Sequence, residues 1–369
     1  MVPEVIWLIA SLGLIFIAAE FFTNGVEHLG ERLNLGEAAV GSVLAAVGTA
    51  MPETLIPVVA ILLAKGPASD AIGMGAILGA PFMLSTLAFT ITSVAAFAYS
   101  RRRHGGARLS VNRAIVSRDL LYFLAMFSVA ILSTWLPEGP PRWLVCCLLL
   151  GAYLHYVRAN LKEGGASAGN LKPLRFRALW MRLSLTRLPE ETREAFLHRR
   201  RVGADACPHT AATVGQVLVA LGIMLIGARL FVLHVEHIAG LLQVSGLIIS
   251  LVLAPIATEL PEKLNSVIWV RESKETLALG NITGAMVFQS SVPATLGIAL
   301  TDWRLHNPAV HGHAAFFAAF IALGSALLVL IASRHRRGDP ANRTSLSPWV
   351  LLVGFPLYLL FVASIIFHW

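Results

Sequence analysis

The chain has 369 residues, of which 56% are hydrophobic and only 14% are charged, and it carries a formal charge of +8. A water-soluble domain carries about a quarter charged residues, so lipid must be the solvent for most of this chain, which excludes an ordinary soluble enzyme or binding module. The basic excess does not call for nucleic acid, because cytoplasmic loops of membrane proteins collect Lys and Arg, and Cys146, Cys147 and Cys207 supply neither a disulfide framework nor a metal set.

From the N-terminus, Met1 to Glu20 shows no basic leader and no small-residue cleavage site, so it reads as a first span rather than a signal peptide. A span needs about twenty mostly apolar residues. Segments 4–24, 38–64, 71–99, 119–136, 143–158, 211–236, 245–270, 276–300, 313–333 and 347–367 qualify, the fifth being short. The expected fold is therefore an all-α membrane protein of ten transmembrane helices. Pro and Gly inside several spans are tolerated where neighbouring helices or waters satisfy the freed backbone groups. With the N-terminus outside, 24 of the 29 Lys and Arg fall on the inside, leaving Lys65, Arg142 and Arg304 outside and Arg229 and Lys263 within spans. That asymmetry sets the orientation, with both termini outside, in what is expected to be a bacterial or archaeal cell membrane.

The two halves match at constant offset. Val26-Glu27-His28-Leu29 returns as Val235-Glu236-His237-Ile238, and Pro52-Glu53 as Pro261-Glu262, both 209 residues later. Gly75 and Gly79 return as Gly280 and Gly284, 205 residues later. Five spans per half is an odd number, so the second copy enters from the opposite side. Inverted repeats with interrupted helices at mid-depth are the pattern of secondary transporters. The expected units are 1–158, a first five-helix repeat; 159–210, a basic cytoplasmic linker; and 211–369, the inverted second repeat. In the linker Leu174, Ala178, Met181, Leu185 and Leu188 recur at helical spacing among arginines, as in a helix lying in the lipid interface; a small regulatory domain is the alternative.

Chemistry concentrates in two stretches. Gly48-Thr49-Ala50-Met51-Pro52-Glu53 sits mid-way along the second span and Ala257-Thr258-Glu259-Leu260-Pro261-Glu262 mid-way along the seventh. A carboxylate at mid-bilayer costs about 2.5–3.5 kcal/mol on insertion scales, so two at related positions need a compensating partner. Proline kinks the helix and frees carbonyl oxygens upstream, and Thr49 and Thr258 lie four residues before each glutamate, on the same helical face. Two carboxylates, two hydroxyls and loose carbonyls form a hard-oxygen cage suited to Ca2+ or Na+. Glutamates buried neutral, or bonded to neighbouring helices, are the bland alternative.

These stretches resemble the calcium/cation antiporter superfamily, which includes the sodium/calcium exchangers. Its inverted repeats each carry Gly-Thr-Ser-x-Pro-Glu, followed by Gly-Asn-x-x-Gly-Ser-Asn-x-x-Asn/Asp on the next span. Here the second motif stands as Gly75-Ala76-Ile77-Leu78-Gly79-Ala80-Pro81 and Gly280-Asn281-Ile282-Thr283-Gly284-Ala285-Met286. The resemblance implies that Glu53, Glu262, Thr49 and Thr258 line a central cation site, and that the first and sixth spans slide past the remaining bundle in alternating access. It also carries Asn281 and Gln289, at the motif's Asn and distal positions, into the cation-binding set. The family's Ser becomes Ala50 and Glu259, its Ser-Asn pair becomes Ala80-Pro81 and Ala285-Met286, and its first-repeat Asn and distal Asn/Asp become Ala76 and Leu84. The oxygens that would build flanking sodium sites are thereby thinned, which leaves proton coupling or a different stoichiometry open beside Na+.

Glu259 lies three residues before Glu262 on the same face, where two acids favour holding a proton between them, so Glu259 is expected to titrate during transport. Lys263 is either a tethered counter-charge or a lysine paired away from the pathway. Glu20 and Arg229, related by the 209 offset, are a candidate gating pair across the first and sixth spans. His234 and His237 share a face and His306, His311 and His313 cluster, but no Cys or acid completes a convincing zinc set for them, so ordinary interface histidines are the expectation.

The expected function is a secondary antiporter exchanging a cation, foremost Ca2+, for Na+ or H+; sodium/proton or other cation/proton exchange is the alternative. An enzyme is not expected, since no His-Glu-x-x-His or Gly-x-Ser-x-Gly signature is present. A channel is disfavoured because one chain supplies the whole two-fold site. No cofactor is expected; the partners are inorganic cations and the bilayer, and the sequence leaves the oligomeric state open.

Overall fold

The computed structural model describes residues 2–32, 53–64, 66, 68–103, 106–162, 174, 210–305, 312–334 and 343–368. Thr49 and its neighbours, His306, His311 and nearly all of the basic 159–210 linker with its expected interfacial helix lie outside these residues. The described chain is mostly helical: α1 (Val2–Arg32), α2 (Glu53–Leu63), α3 (Ser69–Ala98), α4 (Arg113–Leu132), α5 (Pro140–Lys162), α6 (Thr210–Leu242), α7 (Gly246–Thr258), α8 (Leu260–Arg271), α9 (Glu275–Gln289), α10 (Val292–Leu300), α11 (Gly312–Arg334), α12 (Pro348–Leu352) and α13 (Gly354–His368). Two short strands, β1 (Leu109–Asn112) and β2 (Arg343–Leu346), pair antiparallel with Leu109 opposite Leu346.

Among the described residues seven helices are long and apolar enough to cross a membrane, and they coincide with seven of the ten expected segments. The other three differ for separate reasons. The fifth, short in the sequence, is the 23-residue α5, whose polar ends lower its average hydropathy. The second is described only from Glu53 onward. The seventh is split into α7 and α8 by a turn at Glu259.

Contacts give the direction of the helices. Let face A be the side on which α1 begins. Glu4 meets His234 and His237 near the end of α6, while Gln216 near the start of α6 donates to the Phe21 carbonyl and Asn24, so α1 and α6 run antiparallel. The Ala68 amide donates to Glu236, which places the start of α3 on face A. At Gly75 and Gly79 the α3 backbone meets α7 at the Leu247 and Leu251 carbonyls so closely that any side chain would collide. These pairings advance together, so α3 and α7 are parallel. Small residues that admit a neighbouring backbone are how helices associate in lipid. On the opposite side, face B, α9 begins with Glu275 in an ion pair with the buried Arg103, and Thr276 accepts from the Asn112 amide at 3.0 Å. The interrupted α7–α8 element therefore starts on face A and ends on face B.

Local chemistry explains several ends. Asn112 caps α4, its side-chain Oδ1 accepting from the Ala114 and Ile115 amides. Pro81 inside α3 cannot donate to the preceding turn, and the helix loosens into a π-turn over Leu84–Ala88 just beyond it. Gly354 lets the start of α13 sit against the Thr86 backbone of that turn. The largest hydrophobic cluster joins α3, α4, α5, α9 and α11 and reaches part of α7; among the described residues none of α1 or α6 belongs to it. Those two helices pack instead through smaller clusters against each other, α2, α7 and the face of α3 that carries Ile72 and Ala76. Trp7, Leu144, Ile366 and Phe367 point outward as lipid-facing side chains.

Candidate functional site

The interruption between α7 and α8 builds one half of the site. Pro261 in the first turn of α8 has no amide hydrogen to donate to the Ala257 carbonyl. The chain turns at Glu259, while bonds from the Glu259 amide to the Pro255 carbonyl and from the Lys263 amide to the Glu259 carbonyl, both 3.2 Å, hold the halves nearly in line. Thr258 therefore closes α7, Glu259 occupies the turn, and Glu262 lies in the first turn of α8, where the positive end of the helix dipole favours a carboxylate. Glu53 supplies the other half as the first described residue of α2.

Glu53, Thr258, Glu259, Glu262 and Lys263 are each at most 6% exposed. The charge of Glu53 interacts with those of Glu262, Glu259 and Lys263, so all four ionisable groups share one neighbourhood. The Lys263 ammonium lies 3.1 Å from a Glu259 carboxylate oxygen and donates to the Pro255 carbonyl at 3.2 Å. Glu259, expected to face Glu262, thus faces Lys263 as well. One carboxylate oxygen of Glu53 has no hydrogen-bond donor among the described residues. The Thr258 hydroxyl donates to the Ala254 carbonyl at 3.1 Å, which leaves its lone pairs available to a cation.

The remaining expected residues sit at different depths. Ser266 bonds to the Ala278 carbonyl, and the Asn281 amide donates to the Glu262 carbonyl at 3.5 Å, so α8 and α9 run antiparallel with these pairs level. Asn281 therefore lies level with Glu262. By the same register Gln289 lies near the depth of Pro255, on the face A side, with its carbonyl oxygen lacking a donor among the described residues. The eight residues between them span about 12 Å of helix, so they cannot both bind one ion. Thr49 lies outside the described residues.

Glu20 and Arg229 do not meet, contrary to the expectation. Gly25 packs at Val217 and Gly227 at Ile15, so the antiparallel register of α1 and α6 sets Glu20 level with residues near 222 and Arg229 level with residues near 13. Seven residues of helix is roughly 10 Å. Two-fold symmetry explains this: equivalent residues lie equally far from the crossing point, on opposite sides of it. Both side chains are exposed.

Two features escaped sequence reasoning. Asp119, 2% exposed, accepts from the Tyr156 hydroxyl at 3.0 Å and the Thr283 hydroxyl at 2.7 Å, clasping α4, α5 and α9. The only sequence signal was an acid at the edge of an apolar segment. Second, Glu4 joins His234 and His237, whereas Glu236, which lies between them in sequence, accepts from the Ala68 amide instead.

Residues 4–162 and 212–367 match the sodium/calcium exchanger protein family. An uncharacterized membrane protein of Methanocaldococcus jannaschii is 22% identical over 363 residues, covering 97% of both chains. CaxA of Alkalimonas amylolytica, an antiporter by designation only, is 24% identical over 364 residues, covering 96% of this chain and 97% of that one. Among solved structures, the H+/Ca2+ exchanger CAX superposes with a TM-score of 0.58 at 12% identity, covering 98% of this chain and 88% of that one. The sodium-calcium exchanger NCX_Mj superposes with a TM-score of 0.55 at 17% identity, covering 98% and 99%. At these identities the superpositions speak for the fold, while the match along the sequence carries the kinship: the chain belongs to the sodium/calcium exchanger protein family.

Proposed function

We propose that this chain is a secondary active antiporter that exchanges Ca2+ for H+ or Na+ by alternating access at a site centred on Glu53 and Glu262. The observation that carries the reading is the buried charge. Three carboxylates and one ammonium share the site, so their ionised sum is −2, the complement of one divalent cation. Lys263 is committed to Glu259 at 3.1 Å, so the net negative charge resides on Glu53 and Glu262. Carboxylate, hydroxyl and freed carbonyl oxygens are the ligands a hard cation takes. When Ca2+ departs, the two acids must be neutralised again before the site can move through lipid, and two protons or two Na+ do so. In effect Lys263 is a resident cation, and it stands where a third coupling ion would otherwise be needed.

The architecture that fits is ten spans in two inverted five-helix repeats, 1–158 and 211–369, joined by the basic 159–210 segment on the cytoplasmic side with both termini outside. The antiparallel run of α1 and α6 supports it, since these occupy equivalent places in the two copies. The absence of α1 and α6 from the largest hydrophobic cluster supports their sliding as a pair past the remaining bundle.

The experiment is radiolabelled Ca2+ uptake into vesicles containing purified protein, driven in separate arms by an outward H+ or Na+ gradient. Uptake that requires one of these gradients and is abolished by both Glu53→Gln and Glu262→Gln is expected. Uptake that needs no counter-ion indicates a channel. Na+/H+ exchange without Ca2+ movement identifies the alternative antiporter.

A further inference from the structure

We propose that Glu4, His234 and His237 form a binding site for a divalent transition-metal ion such as Zn2+, clamping α1 to α6 at face A. The Nδ1 atoms of His234 and His237 approach the same Glu4 carboxylate oxygen, at 2.6 and 3.4 Å, and the three ligand atoms all lie within 4.8 Å of one another. Zinc binds imidazole nitrogen and carboxylate oxygen at about 2.0–2.2 Å, so tetrahedral ligands stand about 3.3 Å apart. The His237–Glu4 separation already has that value, and His234 needs to open by only about 0.7 Å.

The rings are held for this geometry. Trp7 stacks on His234 with centroids 6.1 Å apart and planes 5° from parallel, and the His237 ring stands nearly perpendicular to that of His234. Side-chain exposure rises from 10% at His234 through 26% at Glu4 to 55% at His237, so an ion can enter past His237 and keep an exchangeable ligand from solvent. Two neutral imidazoles and one carboxylate favour Zn2+, Co2+ or Ni2+ over Ca2+, which takes six to eight oxygens.

The site belongs to one face only. At the 209 offset Glu4 corresponds to Thr213 and His234 to Gly25, while His237 alone keeps a histidine, His28. Metal present on face A would therefore tie together the two helices proposed to slide, without a matching clamp on face B. The ligands lie about ten residues from the α1–α6 crossing, roughly 15 Å along the helix axis, so the site does not share ligands with the central acids.

The test uses purified full-length protein in detergent with any affinity tag removed, titrated with Co2+ and followed by its visible ligand-field absorption. One saturable equivalent with a low-symmetry, nitrogen-containing spectrum is expected, displaced by Zn2+ and not by excess Ca2+. Loss of an outer-shell partner costs roughly 10–100-fold in affinity, so loss of a ligand in Glu4→Gln, His234→Asn or the exposed His237→Ala should cost at least as much. His237→Ala serves as the variant least able to disturb folding. Glu53→Gln/Glu262→Gln should retain the spectrum whether or not the proposed exchange activity is correct. Absence of a saturable signal, a signal that survives His237→Ala and His234→Asn, or one lost in Glu53→Gln/Glu262→Gln would each overturn the proposal.

Discussion

Lys263 reaches back one helical turn and sets its ammonium 3.1 Å from the Glu259 carboxylate, across the only break in the α7–α8 element. Both groups are buried, so neither is solvated when the other is removed. Breaking a buried ion pair from one side costs about 3–5 kcal/mol, whereas replacing both partners by apolar groups is often neutral or stabilising. Lys263→Met should therefore lower the melting temperature in detergent sharply, and Glu259→Leu/Lys263→Met should recover most of the loss. The single variant also raises the site's negative charge by one. If Lys263 replaces a coupling ion, Lys263→Gln protein that still transports should move one additional monovalent cation per Ca2+, read from the reversal potential of exchange.

A second prediction concerns the contact between α3 and α7. Gly75 and Gly79 have no room for a β-carbon, because the Leu247 and Leu251 carbonyls occupy it. Overpacking of a tight core costs about 1–3 kcal/mol, and here the obstacle is backbone, which yields less than a side chain. Gly79→Val should cost at least that much and reduce the folded yield. Gly13→Val on α1, where nothing lies within 4 Å, should leave thermal stability within error of the parent protein.

Much of this site was legible before the structure, for a physical reason. A Pro-Glu pair inside an apolar segment is expensive, and its recurrence at Pro52-Glu53 and Pro261-Glu262 marked the two places where that cost must be compensated. Gly75 and Gly79 were legible for a similar reason, since small residues at helical spacing admit a backbone. Partner choice was not legible. Glu259 has Glu262 and Lys263 within one turn, and the sequence does not say which side chain turns toward it. Constant offset misled at Glu20 and Arg229, because it identifies symmetric equivalents, which meet only at the crossing point. Glu4 lies 230 residues from His234 and joins it only through the register of α1 on α6.

Asp119 offers a third prediction, on stability. Its carboxylate takes the Tyr156 and Thr283 hydroxyls from two other helices. Thr283 can donate instead to the Leu279 carbonyl at 3.0 Å, whereas the Tyr156 hydroxyl loses its acceptor, so Asp119→Leu should destabilise by about 1–3 kcal/mol, chiefly through that orphan. Tyr156→Phe or Thr283→Val should cost about 1 kcal/mol, since each removes a donor and leaves the carboxylate its other partner. Equal melting temperatures for Asp119→Leu and Tyr156→Phe would show that the clasp contributes little.

The last prediction separates motion of α1 and α6 as one body from sliding of one against the other. A β-carbon at Gly25 would abut the Val217 side chain, so cysteines introduced at both positions stand close enough to join. A disulfide requires Cα atoms about 4.4–6.8 Å apart, which any axial slide of α1 against α6 by a helical turn, about 5.4 Å, would break. If the two helices move as a rigid pair past the bundle, Gly25→Cys/Val217→Cys protein should transport Ca2+ equally well oxidised and reduced. The smaller clusters they share with α2, α3 and α7 would then form the sliding surface. Transport that stops on oxidation and returns with reductant would instead place the sliding surface between α1 and α6. In that case bound metal at Glu4, His234 and His237 would act as a brake on exchange, because it bridges the same two helices.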